Sequence, residues 1–158
     1  MNEVKFSEES LKRFEAIVSR YPKKEAAMLP VLYLAQEEFG YLSPEAIEYV
    51  AAKMEVPAAR VYGVVTFYTM LNMKPIGRHH IQVCRTLPCA LAGAERIAAA
   101  IKVKLRIGAG ETTADGKFTL SEVECLASCG TAPMMQVNDD YYENLSAQSV
   151  GEILDRLK

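Results

Sequence analysis

The sequence predicts an α/β (α+β) fold, with an N-terminal antiparallel helical bundle over residues 1–74 and an α/β domain over residues 75–158. Two observations predict it. Apolar residues recur at helical spacing through the first half, and short strand patterns alternate with helical patterns in the second half. Residues 72–77 contain a proline and a glycine, a composition typical of a linker, so the boundary is placed there.

The first two predicted helices differ in character. The first follows Ser7 as its cap, ends at Tyr21-Pro22, and has a stripe of Leu11, Phe14, Ile17, Val18 and Tyr21. The second, residues 24–39, is apolar almost all round, so it is expected to be the most buried helix. Pro30 is expected to kink it or to interrupt one turn, and Gly40 to end it.

The other two helices of the bundle have clear start signals. Ser43 is expected to cap a helix with Pro44 at its first position, and Pro57 opens a fourth helix that runs to about Tyr68. A short turn joins the two, as in DNA-binding helix-turn-helix motifs, but Arg60 is the only cation of the fourth helix. Its apolar side chains favour the bundle core with some part in a protein interface (Val64, Val65, Phe67, Tyr68).

In the second half, a strand over residues 79–84 precedes a helix that starts near Pro88 and has a stripe of Leu91, Ala94, Ile97, Ala98 and Ile101. A strand is predicted over residues 118–125, and a hairpin pairs residues 134–137 with 141–144. A last helix runs from residue 146 or 147 to 157. A crossover helix after the first strand indicates a thioredoxin-like or ferredoxin-like α/β sandwich.

Composition excludes several classes of function. Half of the 158 residues are apolar, enough for a hydrophobic core, and the net charge of −2 is divided evenly between the two halves. No basic patch indicates a nucleic-acid partner, and no apolar run reaches the roughly 18–20 residues of a membrane span. The N-terminus is acidic and has no apolar core, so a secretory or transit peptide is not expected. A bacterial-type cytosolic protein is predicted.

All four cysteines lie in two short pairs, Cys84-Arg-Thr-Leu-Pro-Cys89 and Cys125-Leu-Ala-Ser-Cys129, separated by 35 residues. In a reducing compartment, clustered cysteines indicate metal ligands or redox groups rather than structural disulfides. Each pair is expected to follow a strand end, so that two loops converge on one edge of the sheet and offer four thiolates. Backbone N–H groups are free in such loops to donate to sulfur.

The spacing alone leaves three alternatives open. A 2Fe-2S cluster needs four soft thiolate ligands that are close together and shielded from water. A structural zinc site uses the same thiolates, but its cysteines more often lie two residues apart than three or four. A dithiol enzyme would need a reactive Cys-x-x-Cys pair, which the sequence lacks. A zinc-stabilised interaction module is therefore the alternative of a different class.

The chain also resembles a known family, the small 2Fe-2S (24 kDa-type) subunit of NADH:quinone oxidoreductase, or respiratory complex I. The supporting stretches are Gly63-Val-Val-Thr-Phe-Tyr68, the two cysteine pairs, and Gly130-Thr-Ala-Pro-Met-Met-Gln-Val-Asn-Asp-Asp-Tyr141. The resemblance covers nearly the whole chain. It implies that the second half is a thioredoxin-like 2Fe-2S ferredoxin domain, in which Cys84, Cys89, Cys125 and Cys129 ligate one 2Fe-2S cluster.

The resemblance further implies a larger partner subunit that binds FMN and NADH and carries a 4Fe-4S cluster. The two would form a heterodimer in the cytoplasmic peripheral arm of a membrane-associated complex, without insertion of this chain into the membrane. Hydride chemistry belongs to the flavin in that family, so this chain would exchange one electron and contain no catalytic residue. Equivalent subunits occur in NAD(P)-linked hydrogenases and formate dehydrogenases, and the partner chains would distinguish these.

Residues around the cysteines carry further expectations. Arg85 is expected to raise the reduction potential of the cluster, because a cation stabilises an added electron. Leu87, Leu126, Ala127 and Met134 could cover the site. His79 and His80 are adjacent in a predicted strand and so point to opposite faces, and we expect a surface or edge pair rather than metal ligands.

Overall fold

The computed structural model describes residues 4–157 and divides the chain into two compact units, Met1–Pro75 and Ile76–Lys158. The division lies one residue beyond the predicted boundary, and the assignment of each unit as a separate domain stays a prediction. The first three residues, on which part of the leader prediction falls, lie outside the described range.

Within residues 4–75, the first unit contains four α-helices: α1 (Glu8–Val18), α2 (Met28–Phe39), α3 (Pro44–Met54) and α4 (Ala58–Phe67). Two predicted N-caps are confirmed. The hydroxyl of Ser7 accepts a hydrogen bond from the backbone N–H of Ser10, and that of Ser43 accepts one from Ala46, both at 3.2 Å. Each bond satisfies a first-turn donor that has no partner within the helix.

The second helix begins later than the sequence predicts. A 3₁₀ turn over Lys24–Ala27 precedes α2, so Pro30 lies in the first α-helical turn. Its missing N–H removes no intrahelical bond there, and the interruption falls before the proline rather than as a kink at it. Gly40 ends the helix with a φ of +80°, as predicted.

Helix α2 supplies the centre of the first unit, with Val31, Leu32 and Ala35 fully buried. Aromatic rings close one side, since Phe6 stacks on Phe39 with ring centroids 5.4 Å apart. The predicted burial of Tyr21 is wrong, because this residue lies beyond the end of α1 and is 38% exposed. Of the two predicted places for Phe67, the bundle core is excluded, since this residue ends α4 and is 76% exposed.

The second unit is built on a four-stranded sheet in the order β2-β1-β3-β4. The strands are β1 (His79–Cys84), β2 (Phe118–Val123), β3 (Met135–Val137) and β4 (Asp140–Tyr142). The β1 strand runs parallel to β2 and antiparallel to β3, and β4 completes the predicted hairpin. Because parallel neighbours end at the same edge, the chain leaves β1 and β2 side by side.

The predicted crossover helix is two helices, α5 (Leu87–Ala92) and α6 (Ala94–Leu105). Gly93 lies between them with a φ of +100°, which ends α5 and starts α6 in a new direction. The predicted stripe therefore holds only from Ala94 onward. Leu91 lies on α5 and is 80% exposed, so its assignment to the core is wrong.

One face of the sheet carries the core of the second unit. Helix α6 and the C-terminal helix α7 (Ala147–Arg156) pack together and place Ile101 and Leu154 among the buried residues of this core, with Ile81 and Leu120 of the strands. Val150, Ile153 and Leu154 of α7 are buried, as its predicted stripe requires.

The histidine pair lies in the interior of the sheet, not at its edge. His80 is 8% exposed, and its Nε2 lies 2.8 Å from the hydroxyl of Ser121 on β2. Strand β1 has a neighbouring strand on each side, so His80 lies within the sheet and not on an edge strand. The predicted surface or edge pair is therefore wrong for His80, whereas His79 is half-buried and packs near the ring of Phe118.

The core assignment on α6 predicts unequal effects of two substitutions. Ile101→Ala removes a fully buried side chain and is expected to lower the free energy of unfolding by about 2–5 kcal/mol. Val103→Ala, at a position 79% exposed on the same helix, is expected to change it by less than about 0.5 kcal/mol. Urea unfolding followed by circular dichroism measures both. Equal losses would contradict the assignment of this helix face to the core.

The buried histidine predicts a pH dependence of stability. Burial lowers the pKa of His80 below its ordinary value of 6.5, so below that pH the unfolded chain binds a proton that the folded chain resists. The free energy of unfolding is therefore expected to fall as the pH falls through about 6.5. His80→Gln should weaken this dependence, and His79→Gln is the matched control. Urea unfolding at about pH 5.5 and 7.5 checks it, and an unchanged dependence in His80→Gln would contradict it.

Candidate metal centre

The sheet delivers the four cysteines from two adjacent strand ends. Cys84 is the last residue of β1, and Cys89 follows in the first turn of α5. The strand β2 ends at Val123 and not at residue 125 as predicted, so Cys125 lies two residues beyond it. Cys129 begins a short 3₁₀ turn, Cys129–Thr131. The register pairs Cys84 with Val123, so both cysteine loops leave the same edge of the sheet.

The two pairs differ in their exposure to solvent. Cys84 and Cys89 are 3% and 2% exposed, whereas Cys125 and Cys129 are exposed, and all four are free thiols. The first pair is thus held by the core beneath the sheet edge. The second pair lies on the outer loop and is open on its solvent side.

Backbone N–H groups donate to the sulfurs of three of the four cysteines. The sulfur of Cys84 accepts from the N–H groups of Thr86 and Leu126, and Met134 donates to Cys89. The N–H of Ala127 lies 3.3 Å from the sulfur of Cys125. These bonds stabilise negative charge on sulfur. They agree with the prediction that N–H groups in the loops are free to donate to the sulfurs.

The two thiols of the buried pair have pKa values shifted in opposite directions. Burial raises the pKa of Cys84, but it is outweighed by the Thr86 hydroxyl, the two N–H donors and the Cys89 thiol, so the pKa lies below its ordinary value. Burial and the hydrogen bond to Cys84 raise the pKa of Cys89 to about 11. Without a metal, the thiol of Cys84 therefore loses its proton more readily than the thiol of Cys89.

The structure brings some of the predicted ligands together and not others. The thiols of Cys84 and Cys89 are in contact, Cys129 is close enough for its charge to raise the pKa of Cys89, and the residue after Cys125 donates to Cys84. Across residues 4–157, no three Cys, His, Asp or Glu side chains converge tightly enough to hold a metal ion. The four thiols thus share one edge without reaching ligation geometry.

The hairpin that follows the second pair holds its loop in place. The hydroxyl of Tyr141 donates to the carbonyl of Leu126 at 2.9 Å, and the N–H of Asn144 donates to that of Thr131 at 2.7 Å. The carboxylate of Glu143 accepts from the hydroxyls of Ser128 and Thr131. These contacts were not predicted, because they join residues 12 to 15 positions apart that share no motif.

The expected cover of the site is only partly present. Met134 is fully buried and Leu126 is half-buried beside the core, but Leu87 is 70% exposed and Ala127 is exposed as well. The helix α5 turns the side chain of Leu87 outward. The apolar cover of the metal centre therefore comes from the β3 side rather than from α5.

The side chain of Arg85 forms an ion pair with Glu124. Its guanidinium donates twice to one carboxylate oxygen of Glu124, at 2.6 and 2.9 Å, and about 60% of its side chain is exposed. The neighbouring carboxylate offsets its charge, so the expected effect on a reduction potential is reduced. Its proposed tuning role stays a prediction.

The donor set fits an iron–sulfur cluster. Its four candidate ligands are all thiols, and N–H groups from the connections after β1 and after β2 donate to the sulfurs. Thiolates with backbone donors are the surroundings that the iron and sulfide of a cluster need.

Comparison with known proteins agrees with this chemistry. The pattern of the thioredoxin-like [2Fe-2S] ferredoxin family matches residues 14–158. The chain belongs to this family. The 2Fe-2S alternative is thereby confirmed over zinc, and one 2Fe-2S cluster is the cofactor of the chain.

Curated relatives of similar length are subunits of one oxidoreductase. An NADH-quinone oxidoreductase subunit of Rickettsia conorii is 48% identical over 156 residues, which cover 97% of this chain and 93% of the relative. A subunit of the NADH-quinone oxidoreductase of Rhizobium meliloti is 44% identical over 144 residues, which cover 91% and 86%. The resemblance to the small subunit of that oxidoreductase is confirmed.

Among solved structures, an NAD⁺-reducing [NiFe]-hydrogenase in the air-oxidised state has the same fold over 82% of this chain, with a TM-score of 0.71 and 18% identity. This chain spans about a fifth of that longer chain, 22%.

In agreement with the predicted absence of a membrane span, the helices within residues 4–157 are too short or too polar to cross a bilayer.

The unequal surroundings of the thiols predict an order of alkylation in the cluster-free full chain. At about pH 8, iodoacetamide should modify the exposed Cys125 and Cys129 before the buried pair. Cys89 should react last, because a pKa of about 11 leaves roughly one thiolate in a thousand. Its rate should rise about tenfold for each added pH unit. Peptide mass spectrometry measures the order, and a Cys89 that reacts as fast as Cys129 would contradict it.

Proposed function

We propose that this chain is the electron-transfer subunit of the NADH-oxidising module of an NADH:quinone oxidoreductase. In that role it exchanges one electron at a time with the FMN of a larger partner subunit. The partner would bind NADH and FMN and carry a 4Fe-4S cluster, and the two chains would form a heterodimer within a larger complex. The module would lie in the cytoplasm, in the peripheral arm of a membrane-associated assembly.

One observation carries the proposal above the others: four free thiols at one sheet edge, with backbone N–H groups donating to them, in a chain about 48% identical to NADH-quinone oxidoreductase subunits over nearly its full length. When bound, a 2Fe-2S cluster supplies a single-electron acceptor. No arrangement for hydride or proton chemistry is needed in this chain for that role.

Within this proposal, Cys84, Cys89, Cys125 and Cys129 ligate the cluster. Cys84 and Cys89 would hold it from the buried side, and Cys125 and Cys129 from the solvent side. The N–H groups of the loops would offset the negative charge that reduction adds. Burial of the first pair acts in the opposite direction, because a charged group is less stable away from water.

A second parent complex has one observation in its favour. The fold match to the NAD⁺-reducing hydrogenase is the basis for considering an NAD(P)-linked hydrogenase, and a formate dehydrogenase of the same type is a further alternative. The higher identity to the NADH-quinone oxidoreductase subunits favours the quinone oxidoreductase. Purification of the native complex and identification of its large subunits by mass spectrometry distinguish the three.

The ligand assignment predicts the loss of bound iron on removal of one thiol. Cys125→Ala or Cys84→Ala should abolish the visible absorbance of the cluster, because three thiolates leave one of the two irons with a single protein ligand instead of two. Leu91→Ala is the matched control, since this side chain is 80% exposed on the helix that contains Cys89. Iron and sulfide analysis of each anaerobically purified chain decides it. A full-strength spectrum in Cys125→Ala would refute the assignment.

The electron path predicts reduction by NADH only in the assembled module. Co-expressed with its neighbouring large subunit, the chain should be reduced on addition of NADH, whereas the chain alone should respond to dithionite and not to NADH. Absorbance bleaching recorded anaerobically measures both. If NADH failed to reduce the co-purified pair while dithionite succeeded, the proposed exchange with the flavin would be wrong.

A further inference from the structure

The hydroxyl groups of Ser128 and Thr131, on either side of Cys129, form hydrogen bonds to the carboxylate of Glu143. Ser128 immediately precedes this cysteine, and Thr131 follows two residues later. The hydroxyl of Thr131 lies 2.5 Å from Oε1 of Glu143, and the hydroxyl of Ser128 donates to the same oxygen. The two hydroxyls also lie 2.7 Å from each other. One carboxylate oxygen thus accepts hydrogen bonds from both hydroxyl groups that flank this cysteine.

The first cysteine loop uses its hydroxyl differently. The hydroxyl of Thr86 lies 3.1 Å from the sulfur of Cys84, where it helps to lower the pKa of that thiol. At Cys129 the corresponding protons point to Glu143 instead. Hydrogen bonds to cluster sulfurs raise a reduction potential, so a group that diverts them acts to lower it.

The charge of Glu143 is not balanced by a neighbouring cation. Glu122 pairs with Lys102 and Glu124 pairs with Arg85, but within residues 4–157 no lysine or arginine forms an ion pair with Glu143. The bonds from Ser128 and Thr131 lower the pKa of Glu143, which keeps it ionised at neutral pH. An anion is therefore held by the two residues that flank Cys129.

A surface carboxylate often does no more than stabilise a turn. Here the turn already has other ties, since the N–H of Thr131 bonds the carbonyl of Ser128 and its carbonyl accepts from Asn144. The carboxylate adds a charge, and it accepts hydroxyl protons from the residues that flank Cys129.

We propose that Glu143 is a positioning residue of the metal centre, which directs the Ser128 and Thr131 hydroxyls away from the Cys129 sulfur and fixes a negative charge beside the cluster. Both effects lower the reduction potential of the cluster. The inference rests on the proposed function, because it takes Cys129 as a ligand.

The test is a redox titration of the full chain with its cluster, monitored by EPR. Glu143→Gln keeps the size of the side chain and an acceptor for the hydroxyls but removes the charge. The midpoint potential should become more positive by the order of a tenfold change in the reduction equilibrium, about 59 mV for a one-electron couple. Glu152→Gln is the control, because it removes an equal charge from α7, where its only side-chain hydrogen bond within the described residues is to Gln148. Equal potentials in the two variants would overturn the proposal.

A second comparison isolates the route through the hydroxyls. Iron release to a chelator should be faster in Glu143→Gln than in the unsubstituted chain, because the loop loses its strongest tie. In a Ser128→Ala, Thr131→Ala background, the same substitution should change the rate little, since its partners are absent. An equal effect in both backgrounds would contradict a role through these hydroxyls.

The two proposals fail in different ways. If the unsubstituted chain binds no 2Fe-2S cluster, the ligand assignment fails and this inference fails with it. If the unsubstituted chain binds the cluster and Glu143→Gln leaves the potential unchanged, only the role of Glu143 is refuted.

Discussion

The parallel pairing of β1 with β2 is the constraint on which the metal centre depends. It aligns Cys84 with Val123, so the two loops that contain the cysteines leave the same edge of the sheet, although 35 residues separate the pairs along the chain. Helices α5 and α6 provide the crossover that parallel strands require. Met134, which immediately precedes the antiparallel β3 strand, lies at this edge, where its N–H donates to the sulfur of Cys89 and its carbonyl accepts from the N–H of Cys84.

The same edge gives the thiols unequal surroundings, and this asymmetry has a chemical meaning. The core buries Cys84 and Cys89, and burial disfavours negative charge on their sulfurs. Backbone N–H groups that donate to the sulfurs offset part of this effect. The other pair lies on a loop that depends on the hairpin for its shape. A reduction potential is set by such opposing terms, so residues outside the ligand set contribute to it.

The sequence predicts the parts of this arrangement that depend on local patterns. Caps at Ser7 and Ser43, the hairpin and the spacing of the cysteines are all short-range signals. The break at Gly93 was missed because a stripe of apolar residues does not report a left-handed φ between two helices. The burial of His80 and the contacts of Glu143 depend on which strands become neighbours, and no local pattern carries that information.

The central claim is that the sheet edge of this chain holds one 2Fe-2S cluster on its four cysteines. The most direct measurement is EPR of the anaerobically purified chain after reduction with dithionite, together with analysis of iron and zinc. We expect a rhombic signal that integrates to about one unpaired spin for each cluster, with two irons and negligible zinc for each chain. An EPR-silent chain that contains zinc would contradict the claim and would favour a metal-stabilised interaction module.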